Sequence, residues 1–209
     1  MRIAKEGYPL ILTGAALTTA AAIAGWKFAS GMLGLATLAL AGFFRDPERR
    51  IPSGEGLVVA PADGKVVSIA GVNSGPRFPD AATRVSIFLS PLDVHINRMP
   101  VAGRIEEVRY QPGKFLPAYK EEASEQNEQN SLKVIDPQER FFGVVQIAGV
   151  LARRIVCWVK PGDTLERGDR FGLIMFGSRT DLYLPRGCNL EVSEGQKVKG
   201  GETIVGRFV

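Results

Sequence analysis

The sequence is poor in the side chains that build metal and redox sites. Its 209 residues include one histidine, His95, and two cysteines, Cys157 and Cys188. A single histidine excludes a multi-histidine metal centre, and together these three residues fall short of the four ligands of a structural zinc site. Two cysteines also make no disulfide scaffold, and they suit a reducing compartment. Charge is scarce at one end, where Arg2, Lys5, Glu6 and Lys27 are the only charged side chains before Arg45. Only three of the 26 basic and one of the 22 acidic residues lie there, so the remainder is nearly neutral. The net charge of +4 therefore forms no basic stripe with interleaved aromatics, which argues against a nucleic-acid partner. With 45% apolar and 23% charged residues, the chain is neither disordered nor fibrous and is long enough for one well-cored domain.

What the N-terminus has in place of charge is a nearly continuous apolar run from Tyr8 to Phe44. One helix of that length would measure about 55 Å, far more than a hydrocarbon core of about 30 Å. The run therefore divides at Gly25-Trp26-Lys27, which predicts two helices, Pro9–Gly25 and Phe28–Phe44. Arg2 and Lys5 precede the pair, and Arg45, Arg49 and Arg50 come after it, as expected for a hairpin with both ends on the cytoplasmic side of a membrane. A cleavable signal peptide is the first competitor, given the Ala-rich stretch at 20–24, but a second apolar segment lies beyond it. A buried helical hairpin is the other, and a domain this small has little surface to cover it. The membrane-associated hairpin, residues 1–45, is the favoured reading.

Beyond Asp46-Pro47 the pattern changes to short Val- and Ile-rich runs separated by Gly, Pro and Asp. Strands are expected at Leu57–Val59, Lys65–Ile69, Arg84–Leu89, Arg104–Tyr110, Phe142–Val150, Arg154–Val159, Phe171–Phe176, Asp181–Leu184 and Glu191–Ser193. Such spacing points to a mainly β domain over residues 46–209. The polar, acidic window Pro117–Asn130 reads as a solvated loop. An internal echo links residues 161–171 to 194–204, with Gly162 matching Gly195, Leu165 matching Val198 and Gly168 matching Gly201. Glycines around one apolar residue mark tight turns. The echo resembles the hammerhead turns of barrel-sandwich, lipoyl-like domains, which implies two pseudo-symmetric halves of one β unit.

Three segments carry groups capable of chemistry. Pro61-Ala62-Asp63-Gly64 is a turn signal with a carboxylate. In Leu89-Ser90-Pro91-Leu92-Asp93-Val94-His95-Ile96-Asn97-Arg98-Met99-Pro100, an extended backbone would put Asp93, His95 and Asn97 on one face. In Phe176-Gly177-Ser178-Arg179, with Tyr183-Leu184-Pro185 shortly after, the glycine permits a backbone in which the Ser178 hydroxyl turns back on the Gly177 carbonyl. Taken singly, each is also compatible with an ordinary turn or strand. Lys65 and Arg179 are candidates for a phosphate contact or for solvated surface.

Together, in this order and spacing, the three segments resemble the pyruvoyl-dependent phosphatidylserine decarboxylases, in particular the short bacterial form. The resemblance covers nearly the whole chain. It implies a proenzyme that cleaves itself between Gly177 and Ser178, giving a large subunit of residues 1–177 and a small subunit of residues 178–209. Ser178 would become an N-terminal pyruvoyl group that forms a Schiff base with the substrate amine and takes up the electrons left by carbon dioxide. His95 matches the histidine that protonates the α-carbon, and Asp63 matches the aspartate of the self-processing triad. The second histidine of the long forms is replaced here by Arg98. Either His95 therefore serves both steps, the preferred reading, or Asp63 acts more directly, with Arg98 positioning a carboxylate.

The implied partners are phosphatidylserine in the bilayer, the chain's own two subunits and the membrane, with a homo-oligomer of the processed pair left open. The implied location is the inner membrane, with the catalytic domain on the cytoplasmic side. Rival readings are a decarboxylase of another serine-bearing lipid, such as archaetidylserine, and a membrane-anchored lipoyl-like adaptor. The adaptor would need a long helical hairpin within its β domain, and Pro117–Asn130 is too short for one.

Overall fold

The apolar N-terminus folds as two helices, as its punctuation predicts. A computed structural model of the chain describes residues 2–72, 77–78, 81–118, 122–150, 154–175 and 178–208. It divides into two units, residues 1–48 and 49–209. In the first unit, β1 (Arg2–Ile3) pairs antiparallel with β2 (Arg45–Asp46), which brings together the two ends of the hairpin formed by α1 (Tyr8–Ile23) and α2 (Lys27–Phe43). Pro9 sits in the first turn of α1, where its missing N–H costs nothing. Gly25, at φ 77°, reverses the chain between the helices. Small residues line the helix contact, Gly14 against Thr37 and Gly34 against Thr18. Large apolar side chains point away from it, with Leu12, Ile23, Phe28 and Leu38 between 65% and 84% exposed. The helices have 16 and 17 residues, about 25 Å each. Among the described residues no helix is long and apolar enough to cross a membrane.

The second unit is mainly β. Its elements are β3 (Leu57–Val59), β4 (Gly64–Gly71), β5 (Ala81–Leu89), β6 (Ile96–Arg98), β7 (Gly103–Gln111), α3 (Ala123–Gln126), β8 (Gln129–Ile135) and β9 (Phe141–Ile147). Then come β10 (Ile155–Cys157), β11 (Thr164–Leu165), β12 (Arg170–Ile174), β13 (Ser178–Pro185), β14 (Asn189–Leu190), β15 (Lys197–Val198) and β16 (Ile204–Arg207). An eight-stranded sheet has the order β11-β7-β8-β9-β13-β5-β4-β15, and two three-stranded sheets have the orders β10-β12-β6 and β14-β16-β3. All these pairings are antiparallel. Val85, Ile87 and Leu89 of β5, Leu132 and Val134 of β8, and Leu182 and Leu184 of β13 meet Val58, Phe171 and Val205 of the smaller sheets in one core. On the opposite face of the large sheet, Val145 and Ile147 pack with Ala123, Phe78 and Tyr183.

The two echoed segments take up matching positions. The Gly162 amide bonds the Ile105 carbonyl while the Ile105 amide bonds Asp163, each at 2.8 Å. Likewise Gly195 bonds Val66, and Val66 bonds Gln196, at 2.8 and 2.9 Å. Gly162, Gly168, Gly195 and Gly201 all have φ between 78° and 93°, a left-handed backbone that glycine adopts without steric cost. A reciprocal pair of bonds joins the halves, Val59 amide to Pro100 carbonyl and Arg98 amide to Pro61 carbonyl, both at 2.9 Å.

Two expectations need revision. Gln129–Ile135 is a full strand that the polar residues at its start conceal. The window before it is no solvated loop: Ala118, Ala123 and Asn127 are buried. The Asn127 amide donates to the Leu116 and Ala148 carbonyls at 2.8 and 2.7 Å, doing the work of backbone in a segment without a ladder.

Candidate functional site

His95 comes just after a turn that the sequence builds with its own polar groups. The Asp93 carboxylate accepts from the Ser90 amide at 2.8 Å, and the Asp93 amide bonds the Ser90 carbonyl at 2.9 Å. Asp93 is therefore spent on the turn and does not share a strand face with His95 and Asn97. From His95 onward the chain is extended, and the Ile174 amide donates to the His95 carbonyl at 3.3 Å, prolonging the β6–β12 ladder. His95 is 2% exposed. Its Nδ1 lies 3.0 Å from the Asp93 carbonyl. A carbonyl can only accept, so Nδ1 carries a proton, and in the neutral form of the ring the lone pair then lies on Nε2.

Ser178 opens β13, the strand held between β9 and β5. Alternation turns Ser178, Thr180, Leu182 and Leu184 to the core and Arg179, Asp181 and Tyr183 to the other face. The Ser178 side chain is fully buried, and among the described residues its hydroxyl has no hydrogen-bond partner. An unmade bond of that kind costs roughly 1–3 kcal/mol. Gly177 lies outside the described residues. Two observations link the segments that carry Ser178 and His95. Ile174, the partner of His95, is four residues before Ser178 in the chain. The next residues on the same faces also touch, as Asn97 Nδ2 donates to Thr180 Oγ1 at 3.1 Å.

Asp63 ends the turn before β4. Lys65 faces Phe88 and Ser178 faces Leu89, so Asp63 and Ser178 flank the same end of β5. The Asp63 carboxylate is occupied, however, by Arg49, whose Nη2 lies 2.9 and 2.7 Å from its two oxygens, and by the Gly200 amide at 2.8 Å. Burial pushes its pKa up, opposed chiefly by Arg49 and then by the Gly200 amide. Arg98 lies on the face of β6 opposite His95 and donates to the Gly168 carbonyl at 2.9 Å. The structure thus ties the segments that carry His95 and Ser178 through Asn97 and Thr180, sets Asp63 at the same end of β5 but bonded to Arg49 and Gly200, and directs Arg98 to a turn.

Arg179, a candidate for a phosphate contact, is neither solvated nor available to a head group. It is 1% exposed and paired with Asp181 at 2.6 Å, and it also bonds Ser86. Lys65, the other candidate, is exposed on β4. Burial raises the pKa of the Cys157 thiol and pushes that of Cys188 up to about 11, so both stay protonated near neutral pH.

Sequence reasoning missed the inner polar layer beyond Asn97. Asn130 Nδ2 donates to Gln146 Oε1 at 3.0 Å, and Gln146 Nε2 donates to Asn97 Oδ1 at 2.9 Å. The available signal was a lone amide at an inward position, as in Val144-Val145-Gln146-Ile147. In the sequence Arg49 is only a flanking charge, and no signal there ties it to Asp63.

With this geometry in view, a family model described as phosphatidylserine decarboxylase matches residues 37–206. The chain belongs to the phosphatidylserine decarboxylase family. It is 45% identical over 204 residues to a phosphatidylserine decarboxylase proenzyme of Geotalea uraniireducens, covering 98% of this chain and 95% of that protein. It is 47% identical to a proenzyme of the same name from Nitrobacter winogradskyi, over 99% and 84% of the two chains. With that of Granulibacter bethesdensis the identity is 52%, over 78% and 68%. The family match takes in β3 through most of β16, and with them Asp63, His95 and Ser178.

Proposed function

We propose that this chain is a proenzyme that cleaves itself at Gly177-Ser178 and then decarboxylates phosphatidylserine to phosphatidylethanolamine. The single observation that carries the site assignment is a buried Ser178 hydroxyl with no hydrogen-bond partner among the described residues, on the strand that the His95 segment bonds through Asn97 and Thr180. In the cleavage, Nε2 takes the hydroxyl proton as Ser178 Oγ bonds the Gly177 carbonyl carbon. The Gly177–Ser178 C–N bond breaks, and the proton passes from Nε2 to the departing nitrogen, leaving an ester. Loss of the Ser178 α-proton breaks the Cβ–O bond and releases residues 1–177 with a C-terminal carboxylate. Water then replaces the nitrogen of the resulting dehydroalanine, releasing ammonia and giving a pyruvoyl group at the head of residues 178–209. Asp63 supports the processing end through its place beside β5, and Arg49 holds it there.

The pyruvoyl group fits the residues present, because its formation removes a hydroxyl that has no partner among the described residues and leaves a ketone at the same buried position. When formed, it supplies the electron sink that decarboxylation needs. The protein's own part is to exclude water from this end of the core and to hold at His95 Nε2 the proton that the α-carbon receives. The paired glycine turns support a barrel-sandwich, lipoyl-like arrangement of the β unit.

The exposed apolar side chains of α1 and α2 support membrane association. At about 25 Å each, the helices suit insertion into one leaflet better than a full crossing. A hairpin of this kind brings the enzyme to a diacyl substrate that stays in the bilayer.

Intact mass spectrometry tests the reading. Purified wild-type protein should give two chains divided before residue 178, the smaller one blocked and reactive toward hydroxylamine. Ser178→Ala should remain a single chain of 22.6 kDa. His95→Ala should lose decarboxylation by about a hundredfold or more. A single uncut wild-type chain that decarboxylates would overturn the assignment.

A further inference from the structure

The Asn130–Gln146–Asn97 chain of amides ends on Thr180, two residues from Ser178, and passes through Asn97, two residues from His95. All four side chains are between 0% and 3% exposed. The direction of the chain is fixed by a backbone group. Gln146 Nε2 also points at the Val156 carbonyl, 3.4 Å away, and a carbonyl only accepts, so the Gln146 amide nitrogen faces both it and Asn97 Oδ1. Asn97 is then left with its own amide nitrogen toward Thr180. The fold makes room for this arrangement: a Cβ on Gly172 would lie 2.9 Å from Gln146 Nε2. Apolar side chains of the same shape would fill this layer at little or no cost in stability. A satisfied polar chain specifies something that apolar packing does not, namely the register of β6 against β13.

We propose that Thr180 is a positioning residue which, held by the Asn130–Gln146–Asn97 relay, sets the Ser178 side chain against His95. A β-branched side chain has few rotamers, so a Thr180 fixed at Oγ1 fixes its stretch of β13 as well. Asn97 does the same for the stretch that carries His95. The inference rests on the reading of Ser178 as the cleaved residue and His95 as its base.

Pulse-labelled cell-free translation of the full chain, monitored over time for the appearance of the 178–209 fragment, gives the cleavage rate. Thr180→Val keeps the shape and removes the hydroxyl. It should slow cleavage by about tenfold or more, and Thr180→Ser should restore most of the rate. In matured protein Thr180→Val should lower kcat on phosphatidylserine vesicles and leave KM unchanged. Placed on a Ser178→Ala background, Thr180→Val should stay folded at the assay temperature, its melting temperature lowered only by the Asn97 donor it leaves unpaired. If Thr180→Val does not fold, Gln146→Met, of similar length without the amide, gives the same readings. A variant that cleaves at the parental rate, or a loss that tracks the melting temperature and is shared by Thr180→Ser, overturns the proposal. Cleavage of Ser178→Ala would instead overturn the reading it rests on, whatever Thr180 does.

Discussion

Asp63 and Arg49 show how one side chain's titration can be held by another. Their side chains are 14% and 7% exposed, and the carboxylate is desolvated with one cation and one amide against it. Burial raises its pKa in the fold, so its contribution to stability is fully present below the unfolded value of 3.8 and is lost as pH rises through the raised one. Arg49 limits that loss. Arg49→Met, made on the uncleaved Ser178→Ala background, should therefore cost little near pH 3, below even the ordinary value of 3.8, where the carboxyl is protonated. At pH 7 it should cost about 3 kcal/mol, because a largely buried carboxylate has then lost its cation. Chemical denaturation at the two pH values measures this, and an equal cost at both would show that the pair does not control Asp63. The His95 ring is set differently, by a backbone carbonyl that selects the protonated nitrogen.

At the scale of elements, the helical hairpin and the β13 region behave differently. The hairpin is held by small residues between its helices and presents its large ones outward. Replacing Leu12, Leu35 and Leu38, exposed by 65%, 65% and 71%, with serine should leave the helix contact intact. The same change should weaken co-sedimentation with anionic phospholipid vesicles by about a thousandfold or more, because each replacement removes about 1.5–3 kcal/mol of apolar burial. Unchanged vesicle binding would assign the membrane contact to another surface. β13, by contrast, is polar on both faces near its start: Thr180 joins the inner relay, and Arg179 and Asp181 form the outer cluster with Ser86 and Ser124. Bonding on both faces holds the start of the strand in place on either side of the sheet.

For the whole molecule, the position of β13 decides what the proposed cleavage would leave behind. A cut before residue 178 divides the chain but not the fold, since β13 keeps its ladders to β5 and β9, and β15 and β16 keep theirs to β4 and β3. Leu182, Leu184, Val198 and Val205 remain in the common core. The two fragments should elute together in size-exclusion chromatography and separate only in denaturant. Spontaneous separation in buffer would mean that the interface is far weaker than its buried area implies. The expected division of labour also belongs to this scale, with the larger fragment carrying His95 and the smaller one the reactive group.

Local rules determined much of this protein. The hairpin break at Gly25-Trp26, the β character beyond Pro47 and the glycine-marked turns at Gly162 and Gly195 depend on hydrophobic period and backbone freedom, which neighbouring residues set between themselves. The ordered motifs around Asp63, His95 and Ser178 were equally legible, because their residue types and spacing lie in the chain itself. Only the tertiary structure decided the rest. Gln129–Ile135 became a strand because sheet neighbours on both sides satisfy its polar start. Arg179 was buried because Asp181, on the same strand face, meets it there. The relay from Asn130 to Thr180 joins residues up to 83 positions apart, and hydrogen bonds across such distances exist only once the sheets have packed.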